Sequence, residues 1–520
     1  MRISTNQMQL NGVSAMLEQS SKLSQTQQQL ASGKKFLSPS EDPIATSKVL
    51  NLEQSMNITN QYQQNSDIAR TRLNNEETVL QSLTSVLDRV RELAVQGNNS
   101  TYTNVDRLMF ASEIRQRLED VLTLSNTKDA SGEFLFSGYQ GNVQPFSVDA
   151  VGNYIYSGDD GQRYLQIGPT RQVAVGDNGT DVFRQIRNGN GTFYTSGSSA
   201  NTGNGLIDPG SVVDASLIDG DSYTLVFPAA TSATNSLVFG DNIGTNDDLT
   251  YTLKIDGNTV YSVAESGTPV NTLDGLASVI NDDVATTGVR AYVANNTLYL
   301  ARTTPSSTPI VIDESLTGMS DGDLDTATGY FGSTLTGVTT PNANVTINNG
   351  DGSVYFVQDS LGNIETNGNY VDGAQITVNG MLTSITGTPR NNDVFTISPS
   401  QNQDLFTTIQ NLAVALETGA HDDASLAQLN NNISATLSNM DQSMENIRII
   451  RAKVGSRLSA IDAQENLNED YSLHIKETLS NLQDLDFTEA ISRLNLQLVG
   501  LQAAQQSYMQ IQGLSLFNYL

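Results

Sequence analysis

The stretch ISATLSNMDQSMENIRIIRAKVGSRLSAI occupies residues 433–461. Within it Ile433, Leu437, Met440, Met444, Ile447, Arg451, Val454, Leu458 and Ile461 recur at alternating steps of four and three. That is a period of 3.5, the spacing that winds helices around one another in a coiled coil. At 1.5 Å rise per residue the seam extends roughly 42 Å.

The same spacing recurs toward the other end of the chain. Leu80, Leu83, Leu87, Val90 and Ala94 form one seam, and Ala111, Ile114, Leu118, Val121 and Ser125 another. With the stretch above they define the expected core of a helical rod. Two weaker seams lie at the extremities: Val13, Met16, Ser20, Leu23, Gln27 and Leu30, and then Ile491, Leu494, Leu498, Leu501, Gln505 and Tyr508. Ser and Gln in these seams leave little apolar surface to bury. Residues 1–35 and 485–520 are therefore expected to be poorly ordered in a free monomer and to order on assembly. Punctuation agrees with the helices. Gly33 is placed to stop the first, Asp42-Pro43 is a cap and first-turn pair opening the second, and Gly97-Asn98-Asn99-Ser100 reads as a turn between helices.

Between the helical ends, residues 131–400 are rich in Gly, Asp, Thr and Asn. Phe134-Leu135-Phe136 and Tyr154-Ile155-Tyr156 read as short strands. Tyr251–Ile255, the turn Asp256-Gly257-Asn258 and Thr259–Val263 read as a hairpin. Strands are also expected at 289–293, 298–300, 354–357 and 376–378, with a short helix around Leu273–Ile280. The fold class is α+β multidomain: an antiparallel helical rod from both chain ends, with β-rich middle domains inserted.

The charge balance narrows the function. The chain has 27 Lys and Arg against 56 Asp and Glu, a net charge of −29. Such an excess repels phosphate and speaks against nucleic acid or an anionic membrane as a partner. From 191 to 400 the basic residues are Lys254, Arg290, Arg302 and Arg390 alone, so the negative charge is concentrated in the middle. With no Cys among 520 residues, disulfides, thiolate metal sites and Cys nucleophiles are excluded. No apolar run is long enough for a membrane helix, and the start lacks the pattern of a secretory signal.

Site chemistry is sparse. His421, in Thr418-Gly419-Ala420-His421-Asp422-Asp423, is expected in a loop joining helices, and His474 on a helix. Asp321, Asp323 and Asp325 alternate like the first half of a calcium loop. Thr326 and Gly332, however, stand where that loop needs Gly and a bidentate Glu. No catalytic, metal or cofactor residues are expected, and no cofactor.

Several motifs together point to a family. They are Leu30-Ala31-Ser32-Gly33-Lys34-Lys35 followed by Pro39-Ser40-Glu41-Asp42-Pro43; Phe134-Leu135-Phe136-Ser137-Gly138-Tyr139 with Tyr156-Ser157-Gly158-Asp159; Asp484-Leu485-Asp486-Phe487 with Leu501-Gln502-Ala503; and Leu514-Ser515-Leu516-Phe517-Asn518-Tyr519-Leu520. In this order they resemble the flagellin superfamily of bacterial flagella, and within it the hook–filament junction branch. Residues 248–312 are similar to insertion repeats of that superfamily, and 391–397 to the strand returning into its helical core.

The resemblance implies a structural adaptor, not an enzyme, exported through the flagellar type III channel to the outside of the cell. It implies axial-core helices at 1–42 and 481–520 and helical-rod segments at 43–185 and 396–480, with a β-rich outer region of one or two domains at 186–395. Implied partners are the proximal hook–filament junction protein, flagellin, an export chaperone, and further copies of the chain in a ring. The expected assembly surface is Val13, Leu23, Leu30, Ile491, Leu494, Leu498, Leu501 and Tyr508. The expected rod core is Leu80, Leu83, Leu87, Val90, Ile433, Leu437, Met440, Met444, Ile447, Val454, Leu458 and Ile461. A filament subunit, or a scaffold carrying an adhesive or enzymatic middle, is the alternative.

Overall fold

Helices open and close the chain in the computed structural model, which describes residues 5–240, 249–264, 266–317, 326–332, 334–336, 343–347 and 350–513. They are α1 (Thr5–Ser32), α2 (Pro43–Gly97), α3 (Asn104–Ser125), α4 (Leu273–Asp282), α5 (Val284–Thr287), α6 (Leu405–Thr418), α7 (Asp423–Gln483) and α8 (Phe487–Gly513). The starts and stops follow local chemistry. Gly33 ends α1 at φ 69°, a conformation that costs a residue with a Cβ. The Ala45 amide donates to the Asp42 carboxylate at 2.9 Å, capping α2 as Asp-Pro predicts. Thr103 and Asp106 close a reciprocal capping box on α3. The Asp404 carboxylate receives the Thr407 amide at 2.7 Å at the head of α6.

The chain forms two compact units. One gathers the N-terminus through Asn74, Arg163–Val175, and the chain from Val454 onward. It contains α1 packed antiparallel on α8, the first half of α2 and the last part of α7. A hairpin, Tyr164–Gln166 with Gln172–Ala174, completes it. This hairpin is held by side-chain amides: Asn65 donates to the Gln166 carbonyl at 2.7 Å and Asn468 to the Ile167 carbonyl at 3.0 Å.

The other unit spans Asn75–Gln162 and Gly176–Lys453. Its helical part joins the rest of α2 to α3, α6 and the start of α7. Aromatic rings fill the space beside α6: Phe146 lies 5.2 Å from Phe183 and 5.0 Å from Phe406 between ring centroids, and Phe136 lies 5.2 Å from Phe183. Here one expectation is corrected. Phe134-Leu135-Phe136 is not a strand; Phe134 makes one isolated bridge to Lys128, and Leu135 and Phe136 lie in a turn. Leu135 and Phe136 are consecutive and both buried, which a two-faced strand does not allow. The Phe136 carbonyl instead accepts from the Gly179 amide at 2.9 Å and the Tyr156 hydroxyl at 3.0 Å.

Along with a smaller cluster around Tyr292 and Phe356, two larger apolar cores lie in the β-rich part of this unit. One lies on a five-stranded antiparallel sheet, in the order Ile364–Asn369, Val354–Gln358, Tyr223–Val226, Val394–Pro399, Phe193–Gly197. Phe193, Tyr223, Leu225, Phe227, Phe395 and Ile397 are buried on it. The other lies between α4, the hairpin Val289–Ala294/Thr297–Arg302, and a sheet in the order Asn258–Ala264, Thr250–Ile255, Ile310–Thr317, Ala343–Ile347. Period-2 burial is regular in Thr250–Ile255 and Ile310–Thr317, the signature of a sheet packed on one face. The Asp256-Gly257 turn has φ 48° and 81°, both positive as a type I′ hairpin requires.

Two other features were not read from the sequence. Asp129, Asp149 and Asp359 each open a five-residue hairpin tip with Gly in fourth place at φ 84°, 96° and 88°. In each, one carboxylate oxygen accepts the amides two and four residues on. These tips present Val151 at 86% and Leu361 at 83% exposure. The second feature is Glu314, fully buried in the α4 core. One of its oxygens accepts the Tyr251 hydroxyl at 2.6 Å and the Phe331 amide at 3.2 Å; the other has no partner among the described residues. Burial, then the Glu314 charge, pushes the Tyr251 hydroxyl far above its ordinary range, so it stays a donor.

Tyr251→Phe is expected to destabilise this core by about 1.5–3 kcal/mol, the worth of a hydrogen bond to a charged group, read by urea unfolding. The Asn363 side chain, with nearby backbone amides, holds the Asp359 carboxyl below its ordinary range. A depressed folded value stabilises above the unfolded pKa of about 3.9 and is lost as pH falls through the folded value. Amide protection at Leu361 and Asn363 should therefore fall below about pH 4, and Asp359→Asn should abolish that dependence.

Candidate assembly surface

The α2–α7 pairing and the α1–α8 pairing are built from similar residue types and differ in what they bury. In α2, Leu80, Leu83, Leu87 and Val90 are fully buried. In α7, Ile433, Met440, Ile447, Val454 and Ile461 are buried, while Leu437, Met444 and Leu458 are half-buried. The buried row on α7 is Ile433, Thr436, Met440, Ser443, Ile447, Ile450 and Val454, which keeps the steps of three and four but admits two hydroxyl residues. Each hydroxyl donates to the carbonyl four residues back, Thr436 to Asn432 and Ser443 to Asn439, both at 2.8 Å. That local bond lets it stand in an apolar seam. Hydrophobic letters alone could not find these positions.

Ion pairs tie the same helices. In the second unit Arg451 donates to Glu77 at 2.6 Å and Arg91 to Asp441 at 3.0 Å. Arg89 clasps Glu113 and holds its carboxyl below the ordinary range. In the first unit, the stretch of α2 and α7 beside the hairpin buries Thr59, Ser66, Gln464, Glu465 and Asn468. Arg70 reaches Asp462 at 2.6 Å and also pairs with the largely buried Glu465.

The α1–α8 pair buries far less. Of the α1 side chains described, only Thr26 and Gln29 are buried, and of those of α8 only Ala490. The expected assembly residues Leu23, Leu30, Leu494, Leu501 and Tyr508 are half-buried, and Val13, Ile491 and Leu498 are exposed. Leu10, Leu17, Leu496, Val499 and Met509 are also exposed, and sequence spacing did not select them. Close approach is made by small residues: a Cβ on Gly12 would meet the Tyr508 ring at 3.2 Å, and one on Gly500 would meet the Gln19 amide at 2.9 Å. The Gln19 amide donates to the Gln497 carbonyl at 3.2 Å. The pair is thus joined by backbone proximity and polar contacts, with its larger apolar side chains facing out.

The remaining expectations have simple outcomes. His421 lies between α6 and α7, and His474 on α7. Asp321, Asp323, Asp325 and 514–520 lie outside the described residues. Among the described residues no helix is long and apolar enough to cross a membrane.

Comparison with known proteins gives concordant matches. Residues 3–141 match the bacterial flagellin N-terminal helical region, and residues 437–520 the bacterial flagellin C-terminal helical region. The chain is 28% identical over 287 residues to flagellar hook-associated protein 3 of Escherichia coli, covering 54% of this chain and 84% of that protein. It is 28% identical over 186 residues to the Salmonella typhimurium protein of the same name, covering 36% of this chain and 58% of that one. The crystal structure of Xanthomonas campestris FlgL superposes with a TM-score of 0.56 at 23% identity, covering 82% of this chain and 99% of that one.

The two Arg70 and Arg91 pairs make a contrast. Arg70→Ala strands a buried Glu465 carboxylate and should destabilise the first unit by about 3 kcal/mol. Arg91→Ala breaks an exposed pair and should change stability by less than about 1 kcal/mol. Thermal unfolding of both variants checks the difference.

Proposed function

We propose that this chain is a member of the flagellin family, in its hook-associated protein 3 branch, and that it joins hook to filament through coupled folding and assembly of α1 and α8. The observation that carries the mechanism is the imbalance between helix pairings: α2 and α7 bury continuous seams, while the large apolar residues described in α1 and α8 stay half-buried or exposed. Fixing a residue's backbone costs about 1–2 kcal/mol, so two helices of this length need burial that their own pairing does not supply. Neighbouring subunits supply it. In this reading Val13, Leu23, Leu30, Ile491, Leu494, Leu498, Leu501 and Tyr508 pass into contacts between subunits, together with Leu10, Leu17, Leu496, Val499 and Met509.

The partners are the proximal hook–filament junction protein on one side, flagellin on the other, and further copies of the chain in a ring. An export chaperone holds the C-terminal region before secretion, and the finished protein sits outside the cell as part of the flagellum. The role is structural, without a catalytic step. Residues 1–42 and 481–520 form the axial part, 43–185 and 396–480 the helical support, and 186–395 the outward β-rich region. Its acidity suits a solvated exterior and leaves close packing to the less charged ends.

Leu498→Asp, or removal of 500–520, is expected to leave the rest of the chain folded and exported, with hooks present but filaments missing and flagellin in the medium. Normal filaments on such cells would refute the mechanism. The purified chain is expected to stay monomeric at concentrations where a filament subunit polymerises, which light scattering reads directly.

A further inference from the structure

Where α1 ends and α8 begins, two chain segments far apart in sequence break their helices side by side. Lys34 and Asp484 form an isolated antiparallel bridge. The Lys35 amide donates to the Gln483 carbonyl at 2.7 Å, and the Leu485 amide to the Gly33 carbonyl at 2.9 Å. With both bonds on the flanking residues, Lys34 and Asp484 are a non-hydrogen-bonded pair of an antiparallel ladder, the kind whose Cα atoms lie closer together. Polar groups around the break are used locally. The buried Gln29 side chain donates to the Lys35 carbonyl at 2.7 Å, Ser480 donates to the Asp484 carboxylate at 2.6 Å, and Asp486 accepts the Thr488 amide at 2.9 Å to open α8. Leu485 is buried beneath the bridge.

We infer that this bridge is a register lock, made in the free chain, that fixes which residues of α1 and α8 meet. The alignment set at Lys34 and Asp484 continues along the helices: Gln19 lies opposite Gln497 and Gly12 opposite Tyr508, the numbers falling on one helix as they rise on the other. In that register Leu10 and Met509 stand at the same level. A slip of one residue at the bridge reverses the side-chain directions there. On an α-helix it also turns every residue by about 100° around the axis. The small residues Gly12 and Gly500 would then no longer meet Tyr508 and Gln19, the partners that need them. The lock fixes one pairing of the two chain ends, and it does not depend on what their outer sides bind.

Because the chain has no Cys, cross-linking tests the lock cleanly in the full-length protein. A non-hydrogen-bonded antiparallel pair lies within the Cα separation a disulfide needs, so Lys34→Cys with Asp484→Cys should close at least ~10-fold faster than Lys35→Cys with Asp484→Cys. The measurement is mass spectrometry of dilute monomer under mild oxidation, and the rate should not vary with protein concentration. Equal rates for the two pairs, or closure only between chains, would overturn the lock. Lys35→Pro removes one bridge donor, whereas Lys35→Ala keeps it. Loss of a bond worth about 1 kcal/mol should raise amide exchange in Gln19–Ser32 roughly 5-fold in Lys35→Pro and not in Lys35→Ala. The same exchange in both variants would contradict the inference.

Discussion

The alternation of three- and four-residue steps along α2 and α7 is the constraint from which the remaining features follow. A period of 3.5 keeps one face of each helix turned toward its partner over many turns. It therefore keeps Leu83, Leu87, Ile433, Met440 and Ile447 on the buried side of α2 and α7. Helices held this way support both the β-rich insert and the terminal pair. The ion pairs of Arg91 and Arg451 reinforce the seam at its polar margins, while Thr436 and Ser443 show that it tolerates hydroxyls satisfied within their own helix.

The same period gives a different result at the chain ends. In α1 the positions that should bury carry Ser20 and Gln27, and the close contacts fall at Gly12 and Gly500. Two such helices lie near each other but offer each other little apolar area, so their large side chains remain available to neighbouring subunits. A helix pair strongly stable alone would have less to gain from assembly. Weak pairing and a fixed register are compatible: the bridge at Lys34 and Asp484 aligns the helices at one point and leaves their outward faces unspent.

Much of this was legible from residue order. Gly33, Asp42-Pro43 and Gly97 act through backbone chemistry confined to a few residues, and their helix boundaries stand as read. The hairpin at Asp256-Gly257 was legible for the same reason. Two-residue turns at Asn295-Asn296 and Asn379-Gly380 are equally local, with positive φ at all four residues, and follow the same rule without having been singled out. Phe134–Phe136 misled because a short run of large apolar side chains imitates a strand, whereas the buried Phe136 ring belongs to a tertiary aromatic cluster. The exposure of Leu10, Leu17, Leu496, Val499 and Met509 depends on how α1 and α8 pack, and the buried Glu314 depends on contacts between distant strands. Neither is encoded in a local spacing.

Hydrogen exchange across α1 and α8, before and after incorporation at the hook–filament junction, tests the central claim most directly. In the free chain, protection should be greatest near Lys34 and Asp484, fall steadily toward Thr5 and Gly513, and remain well below that of α7. In the assembled junction it should rise along both helices to the level of α7. Full protection of α1 and α8 in the free monomer, unchanged on assembly, would contradict an account in which neighbouring subunits complete their burial.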